Sequence, residues 1–221
     1  DEIIASSELT ATPIEHFDQR AEFIGVDVRR HLGWITFQPH FFHKERELWK
    51  DKKTRKKLLE NRQKYLGKSD FTAREILRGF KISGIHIGYS HFSPLWLAKF
   101  VQDYDVSTIY DPCGGWGHRL IGAGLANINY IYNDKWALSV DGAKKIADAF
   151  NIKATCYNQD CTTFTPEEEY DAVFTCPPYY NIEVYEQPFS SPQQYEEFIG
   201  LMLQRSVKPR VKIVGIVINL T

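Results

Sequence analysis

The sequence predicts an α/β fold in which helices cover both faces of a parallel sheet. β-prone and helix-prone segments alternate from residue 106 to the C-terminus, which is the pattern of repeated strand and helix units. The β-prone segments are nearly continuous apolar runs, as expected of strands buried on both faces. A chain of 221 residues with 43% hydrophobic content can bury one substantial core.

The alternation defines the elements of this sheet. A first helix begins at Ser93-Pro94, with the serine as N-cap and the proline at the first helical position, and runs to about Tyr104. We predict strands over 106–110, 130–133, 153–157, 171–175 and 211–220, and helices over 118–125, 137–150 and 192–208.

The N-terminal part has a different character. Residues 1–85 are a predicted extension, irregular up to residue 40, and 86–221 are the predicted core. From 42 to 65 the composition is helical, with ten Lys and Arg against four Asp and Glu. This is either a solvated helix face or a helix that contacts nucleic-acid phosphates. The candidate contacts are Lys52, Lys53, Lys56 and Lys57. A second short helix, 71–80, follows Asp70 as its cap.

Composition also excludes some classes of function. The formal net charge is −1, so any affinity for nucleic acid must come from a local patch. The four cysteines form no C-x-x-C pair and the seven histidines no H-E-x-x-H, so we expect no metal site. The longest apolar run, 211–220, contains Lys212 and is too short to span a bilayer. We expect a cytoplasmic protein without a membrane partner.

The glycine-rich segment Tyr110–Leu125 lies where a predicted strand turns into a helix. Gly115 and Gly117 let backbone N–H groups approach a ligand there, and Asp111 offers an acceptor. Asp134 ends the next strand, 17 residues after Gly117, close to the spacing at which an acidic residue reaches ribose hydroxyls. Capping of the following helix is the alternative role for Asp134.

Further residues suit a nucleoside. Trp136 either lies flat against an adenine or packs in the core. Asp160 and Cys161 follow the third strand, where a polar group can hydrogen-bond the exocyclic amine of a purine. A phosphate-binding turn fits less well, because the segment lacks the third glycine of the dinucleotide pattern and no Gly-Lys-Ser/Thr follows.

The segment after the fourth strand reads Cys176-Pro177-Pro178-Tyr179. Two prolines directly after a buried strand fix the backbone and remove two donors. Carbonyl groups are then free to point into the crevice, with an aromatic pair behind them. The pattern predicts a rigid platform that accepts hydrogen bonds and stacks on a ring; a proline turn with core tyrosines is the alternative.

Two of these segments resemble the motifs of a known family, the DNA amino-methyltransferases, which methylate adenine N6 or cytosine N4 with S-adenosylmethionine. The similarity to motifs I and IV is carried by Asp111-Pro112 with Gly115 and Gly117, and by Thr175 to Tyr179. His91-Phe92-Ser93-Pro94 resembles the methionine-side motif, so the motif order is γ-like. The resemblance covers about residues 89–220 and implies a Rossmann-like class I methyltransferase sheet.

The resemblance also implies a role for each candidate residue. Around the cofactor, the turn with Asp111, Gly115 and Gly117 would hold the methionine moiety, Phe92 would pack beside it, Asp134 would bind the ribose, and Asp160 the adenine amine. Cys176 to Tyr179 would face the target base. The Pro177 carbonyl would hydrogen-bond the amine protons so that the nitrogen lone pair points at the methyl group. Tyr179 would stack on a base flipped from the duplex.

Cys176 departs from the family pattern, which usually has Asp, Asn or Ser at this position. A thiol is a weak acceptor, so backbone carbonyls would do more of the work, or the thiol is partly ionised, or activity is reduced. Cytosine C5 chemistry, in which a thiolate attacks the ring, fits less well because that class presents Pro-Cys. Pro112-Cys113 has that order but lies in the cofactor turn.

DNA is the partner that the resemblance implies. In this motif order a final β-hairpin and a target-recognition region follow the sheet, and we expect the sheet here to stop at its fifth strand. Recognition would then come from a C-terminal region missing from these residues, from residues 1–80 with the basic helix, or from a separate specificity partner. Two other functions stay open: a catalytically weak DNA-binding or assembly subunit with this fold, and an RNA or protein methyltransferase.

Overall fold

A computed structural model describes residues 43–71, 73–85, 92–180 and 189–218. The described residues fall into two compact units, one of helices over 43–85 and one built on a sheet over 92–218. The irregular segment predicted over 1–40 lies outside the described residues, and so does His91 of the predicted methionine-side motif. The predicted division between residues 85 and 86 stays a prediction.

The helical unit contains α1 (His43–Lys50), α2 (Lys52–Leu66) and α3 (Ala73–Ile82). The single helix predicted over 42–65 is divided because Asp51 is extended, with φ −69° and ψ 116°, and its carboxylate caps α2 by accepting from the Thr54 N–H at 2.7 Å. Gly67, in the left-handed region at φ 65°, ends α2. The second predicted helix begins at Ala73 rather than at residue 71.

The sheet unit follows the predicted alternation. Its elements are α4 (Pro94–Tyr104), β1 (Thr108–Asp111), α5 (His118–Ala126), β2 (Asn129–Asn133), α6 (Ala137–Ala149), β3 (Ala154–Tyr157), β4 (Ala172–Thr175), α7 (Pro192–Ser206) and β5 (Ile213–Ile216). All strands are parallel and lie in the order β3-β2-β1-β4-β5. The predicted fold class, α/β with a Rossmann-like sheet, is confirmed. No helix among the described residues has the length and apolar character needed to cross a membrane.

The strand order explains where the core and the site lie. β1 pairs with β2 on one side and with β4 on the other, and the buried residues of these central strands include Ile109, Tyr110 and Val173, each fully inaccessible. The chain crosses over in opposite directions from β1, so a crevice opens at the carboxyl ends of the strands. α5 packs closely on α4 because residue 122 is a glycine, whose Cβ would lie 2.4 Å from the Pro94 carbonyl oxygen.

Candidate ligand site at the carboxyl edge of the sheet

The turn between β1 and α5 is shaped by three glycines. Gly115 and Gly117 have φ values of 57° and 82°, in the left-handed region that a side chain rarely adopts. A Cβ on Gly114 would lie 2.1 Å from the ring of Tyr132, and the Tyr132 hydroxyl donates to the Gly115 carbonyl at 2.5 Å. Gly114 and Tyr132 were not predicted as site residues, because only the fold brings the end of β2 against the turn.

Asp111 is fully buried at the end of β1 and is surrounded by donors. Its Oδ1 accepts from the Thr175 hydroxyl at 2.8 Å and from the Cys113 N–H at 3.2 Å. Its Oδ2 accepts from Arg119 Nε at 2.7 Å and from the Tyr130 hydroxyl at 2.5 Å. A carboxylate offers about four lone-pair sites, so the protein itself fills them. The predicted contact of Asp111 with a methionine moiety stays a prediction, and the structure gives Asp111 the further task of fixing the turn.

Arg119 is the counterion of Asp111 and a residue that the sequence reasoning missed. It lies in the first turn of α5 with 5% exposure, and its Nη2 also donates to the Cys113 carbonyl. Its guanidinium carbon lies 5.5 Å from the ring centre of Phe92. Burial by itself would lower the pKa of Arg119, but the Asp111 carboxylate raises it well above its usual value. The only hint in the sequence is a cation directly after the glycine turn.

Phe92 also reaches β4. Its ring lies edge-on to Phe174, with 5.8 Å between ring centres. Phe92 therefore lies between the Arg119 side chain and the fourth strand, and its predicted contact with a cofactor stays a prediction.

Asp134 joins the glycine turn to the end of β2. One oxygen accepts from the Gly115 N–H and the other from the Trp136 N–H, each at 2.8 Å. Burial raises the pKa of Asp134, although these two hydrogen bonds act in the opposite direction. Each oxygen keeps a second lone-pair site, so the predicted ribose contact and the alternative capping role are chemically compatible.

Trp136 is half-buried and meets the turn through a second tryptophan. Its ring lies 5.6 Å from that of Trp116 with an angle of 76° between the planes. The two indole rings form an aromatic surface beside Asp134. Whether Trp136 stacks on an adenine stays a prediction.

Asp160 and Cys161 differ in their surroundings. The Asp160 carboxylate accepts from the Thr162 N–H at 3.0 Å, from the Thr162 hydroxyl at 2.7 Å and from Lys135 Nζ at 3.1 Å. Burial would raise its pKa, but these donors lower it. Cys161 is buried, with its sulfur 3.8 Å from that of Cys113. The segment after β3 is thus held against the glycine turn through this pair of sulfur atoms.

The predicted catalytic segment lies at the carboxyl end of β4. The Cys176 sulfur and the Tyr179 hydroxyl are 3.0 Å apart, within hydrogen-bonding distance. Pro177 is buried, whereas Pro178 and Tyr179 are partly exposed. The Thr175 hydroxyl binds Asp111 at the preceding position, so the start of this segment is tied directly to the glycine turn.

These contacts unite the candidate residues of the sheet unit in one site. Asp134 binds the turn, Thr175 links the turn to the Cys176 segment, and Phe92 packs on Arg119. The four candidate lysines, Lys52, Lys53, Lys56 and Lys57, belong to the helical unit, where all are exposed on α2. Within the described ranges no three His, Cys, Asp or Glu side chains converge as a metal site would require.

Of the comparisons with known proteins, only the one with solved structures found matches. No model of a protein family matches the chain, and no curated protein sequence matches it. TehB from Haemophilus influenzae aligns at 12% identity over 58% of this chain and 41% of its own, with a TM-score of 0.39. An rRNA methylase from Streptococcus thermophilus aligns at 16% identity over 59% of this chain and 73% of its own, with a TM-score of 0.40.

A SAM-dependent O-methyltransferase from Thermotoga maritima aligns at 16% identity over 56% of this chain and 54% of its own, with a TM-score of 0.36. The chain thus spans less than half of TehB and about half of the Thermotoga protein. At these TM-scores the likeness decides nothing about activity, and the fold assignment rests on the order and direction of the strands.

Proposed function

We propose that the chain is an S-adenosylmethionine-dependent methyltransferase that acts on an exocyclic amine of a DNA base, adenine N6 or cytosine N4. The observation that carries the proposal is the junction of two motifs. The Cys176-Pro177-Pro178-Tyr179 segment leaves β4 beside the glycine turn that leaves β1, and the Thr175 hydroxyl binds Asp111 between them at 2.8 Å.

The residues around the turn fit S-adenosylmethionine. Three carboxylates, Asp111, Asp134 and Asp160, face two paired cations, Arg119 and Lys135. The site is therefore acidic by about one charge, which complements a sulfonium cation and disfavours a polyphosphate. When bound, the cofactor supplies an electrophilic methyl group on that sulfonium.

Binding of the cofactor would use groups that the structure already orders. The peptide groups of Gly115 and Gly117, in conformations that need glycine, would lie along the methionine portion. The spare lone pairs of Asp134 would accept from the ribose hydroxyls, and Asp160 from the adenine amine. Asp111 and Arg119 would contribute indirectly, because their hydrogen bonds hold the shape of the turn.

The residues after β4 would hold the base. Pro177 lies outside the helices and strands, and its carbonyl would accept a hydrogen bond from the target amine and so turn the nitrogen lone pair toward the methyl group. The hydrogen bond between Cys176 and the Tyr179 hydroxyl orients the Tyr179 ring, which would stack on the flipped base. In this arrangement the thiol positions Tyr179, and the backbone carbonyl is the main acceptor.

DNA as the substrate is supported by the helical unit as well as by the motif resemblance. Residues 43–85 carry fourteen Lys and Arg against six Asp and Glu, whereas 92–221 carry ten against fifteen. An acidic sheet unit repels a polyanion, so a cationic partner surface is needed, and Lys52, Lys53, Lys56 and Lys57 lie exposed on one side of α2.

Replacing Lys52, Lys53, Lys56 and Lys57 with Gln tests this surface. We expect weaker DNA binding, with a slope of log K against log salt that falls by up to about 3.6, or 0.9 for each phosphate that is no longer neutralised. The control replaces three exposed lysines of the sheet unit, Lys144, Lys145 and Lys153, one charge fewer, and should leave the slope unchanged. An unchanged slope in the α2 variant would show that these lysines form a solvated helix face and do not contact DNA phosphates.

Transfer of a tritiated methyl group from the cofactor to unmethylated DNA tests the activity itself. We expect transfer by the wild type, a loss of at least about tenfold in Tyr179→Ala, and a smaller loss in Tyr179→Phe, which keeps the stacking ring but not the bond to Cys176. Undiminished transfer by Tyr179→Ala would remove this residue from the mechanism.

A second candidate function is a DNA-binding or assembly subunit with weak or no activity. The observation that favours it is Cys176, whose thiol is a weak acceptor and already lies within hydrogen-bonding distance of the Tyr179 hydroxyl. Calorimetric titration with S-adenosylmethionine separates the two in part, because absence of any binding would favour the non-enzymatic subunit.

A further inference from the structure

We propose that the helical unit contains a binding site for a phosphate group, in a cleft between α2 and α3. The cleft has a volume of about 380 Å³ and is lined by residues that include Asn61, Arg62, Lys64 and Tyr65 of α2. Two of these four side chains are cations, and no acidic side chain of the described residues lines the cleft. The cleft lies beyond Lys52 to Lys57, toward the C-terminal end of the same helix.

Arg62 is the residue on which this inference rests. Only 5% of the residue is exposed, and its Nε is shielded from solvent and has no hydrogen-bond partner among the described residues. Lysine and arginine are almost never buried unless they are paired, and an uncompensated buried charge destabilises a fold. Because Arg62 lines the cleft, a ligand that brings negative charge into the cleft supplies the counterion that the guanidinium lacks among the described residues.

The packing of α3 against α2 determines the position of the Arg62 side chain. A Cβ on Gly79 would lie 2.6 Å from Arg62 Cδ and 3.0 Å from Leu58 Cδ1, so a glycine at 79 leaves the space that the arginine stem occupies. Leu58 lies one turn before Arg62 and is fully buried. The apolar stem is thereby fixed, and the guanidinium at its end is held at the cleft.

A phosphate group matches the donors better than other anions do. The guanidinium presents a planar fork of N–H groups that binds phosphate oxygens in pairs, and Lys64 adds a point charge from an exposed position. The Asn61 amide and the Tyr65 hydroxyl can each donate a further bond. The Ser83 hydroxyl contributes none, since it donates to the Gly79 carbonyl at 2.6 Å.

The test compares the thermal unfolding midpoint of the full chain in inorganic phosphate and in chloride at constant ionic strength. We expect a saturable rise of about 3–5 °C at a phosphate concentration ten times the Kd, retained by Arg46→Met and lost in Arg62→Met. Arg46 is an exposed cation of α1 outside the cleft, so its replacement matches the change in charge. Arg62→Lys, which keeps the charge without the fork, should keep part of the rise.

Binding to a short DNA duplex then distinguishes the two sources of the phosphate. If the phosphate belongs to a nucleic-acid backbone, inorganic phosphate competes with the duplex and Arg62→Met lowers the salt slope by about 0.9. If it is free phosphate, duplex binding is the same in both proteins while the rise in the midpoint persists. No saturable rise in the wild type, or an equal rise in Arg62→Met, would overturn the proposal. Neither measurement reads methyl transfer, so this proposal and the proposed function fail separately.

Discussion

Among the residues whose burial the structure describes, the sheet unit and the helical unit each contain one buried arginine, and each of the two is 5% exposed. The surroundings of the two charges differ. Arg119 of the sheet unit binds the carboxylate of Asp111 at 2.7 Å and the Cys113 carbonyl. The Nε of Arg62, in the helical unit, has no hydrogen-bond partner among the described residues. A buried cation with an internal counterion holds a structure together, whereas one without a counterion indicates where a ligand supplies it.

Removing the two guanidinium groups gives the largest expected difference between the units. Arg119→Met leaves the Asp111 charge buried and unpaired, so we expect the free energy of unfolding to fall by about 3–5 kcal/mol. Arg62→Met removes an unpaired charge and keeps the apolar stem, so in buffer without phosphate it should change the free energy by less than about 1 kcal/mol or raise it. Urea unfolding measures both. Equal decreases would show that the two arginines have equivalent internal partners.

The next comparison uses a glycine from each unit. In Gly114→Ala the new Cβ would lie 2.1 Å from the Tyr132 ring, which is held by its own hydrogen bond, so we expect the free energy of unfolding to fall by about 2–3 kcal/mol. In Gly79→Ala the new Cβ would lie 2.6 Å from Cδ of the packed Arg62 stem, and the gain in helix propensity offsets part of this clash, so the net decrease should be smaller, about 1 kcal/mol.

Gly200→Ala is the control for this pair. Residue 200 lies in α7 with open space around the new Cβ, so the substitution should stabilise the protein by up to about 1 kcal/mol. If Gly79→Ala lowers the free energy of unfolding as much as Gly114→Ala does, then neither α3 nor the Arg62 side chain can shift to relieve the clash.

A smaller change in the free energy of unfolding is expected from two carboxylates whose pKa values are lowered, one in each unit. Burial would raise the pKa of Asp171, but the N–H groups of Thr108 and Ser107 lower it. The pKa of Asp51 in the helical unit is lowered by the bond from Thr54. A lowered pKa adds stability above the unfolded value of 3.8, and this stability is lost as the pH falls through the folded value.

We therefore expect Asp171→Asn to lower the free energy of unfolding by about 1–2 kcal/mol at pH 7 and by much less near pH 3. Asp51→Asn should have a smaller effect with the same dependence on pH, since Asn is itself a good N-cap. Urea titrations at pH 7, 5 and 3 provide the measurement. A difference between wild type and Asp171→Asn that does not change with pH would contradict the assignment.

The sequence predicted the sheet better than it predicted the site. Strand and helix periods are local, so the helix after the glycine turn was placed within one residue of its observed end, at Ala126. The fifth strand was predicted over 211–220, but the strand that the structure describes is Ile213–Ile216, the four residues in register with Ala172–Thr175 of β4. The helix over 42–65 is interrupted because Asp51 prefers a cap to a helical position.

Inside the site, the contacts that the sequence did not predict mostly join residues that are far apart in the chain. Tyr130 and Thr175 lie 19 and 64 positions from the Asp111 they contact, and no local pattern predicts such pairs. Arg119 is close in sequence to the turn, but its burial and its bond to Asp111 depend on how α5 packs. Arg62 looks like one more cation of a basic run until Gly79 is seen to make room for it.

The central claim is that the sheet unit methylates an exocyclic amine of a DNA base. Incubation of the full chain with deuterated-methyl S-adenosylmethionine and unmethylated DNA, followed by nucleoside digestion and mass spectrometry, tests it directly. We expect labelled N6-methyladenine or N4-methylcytosine, reduced at least about tenfold with Tyr179→Ala. Labelled 5-methylcytosine, or no labelled nucleoside from DNA, would contradict it.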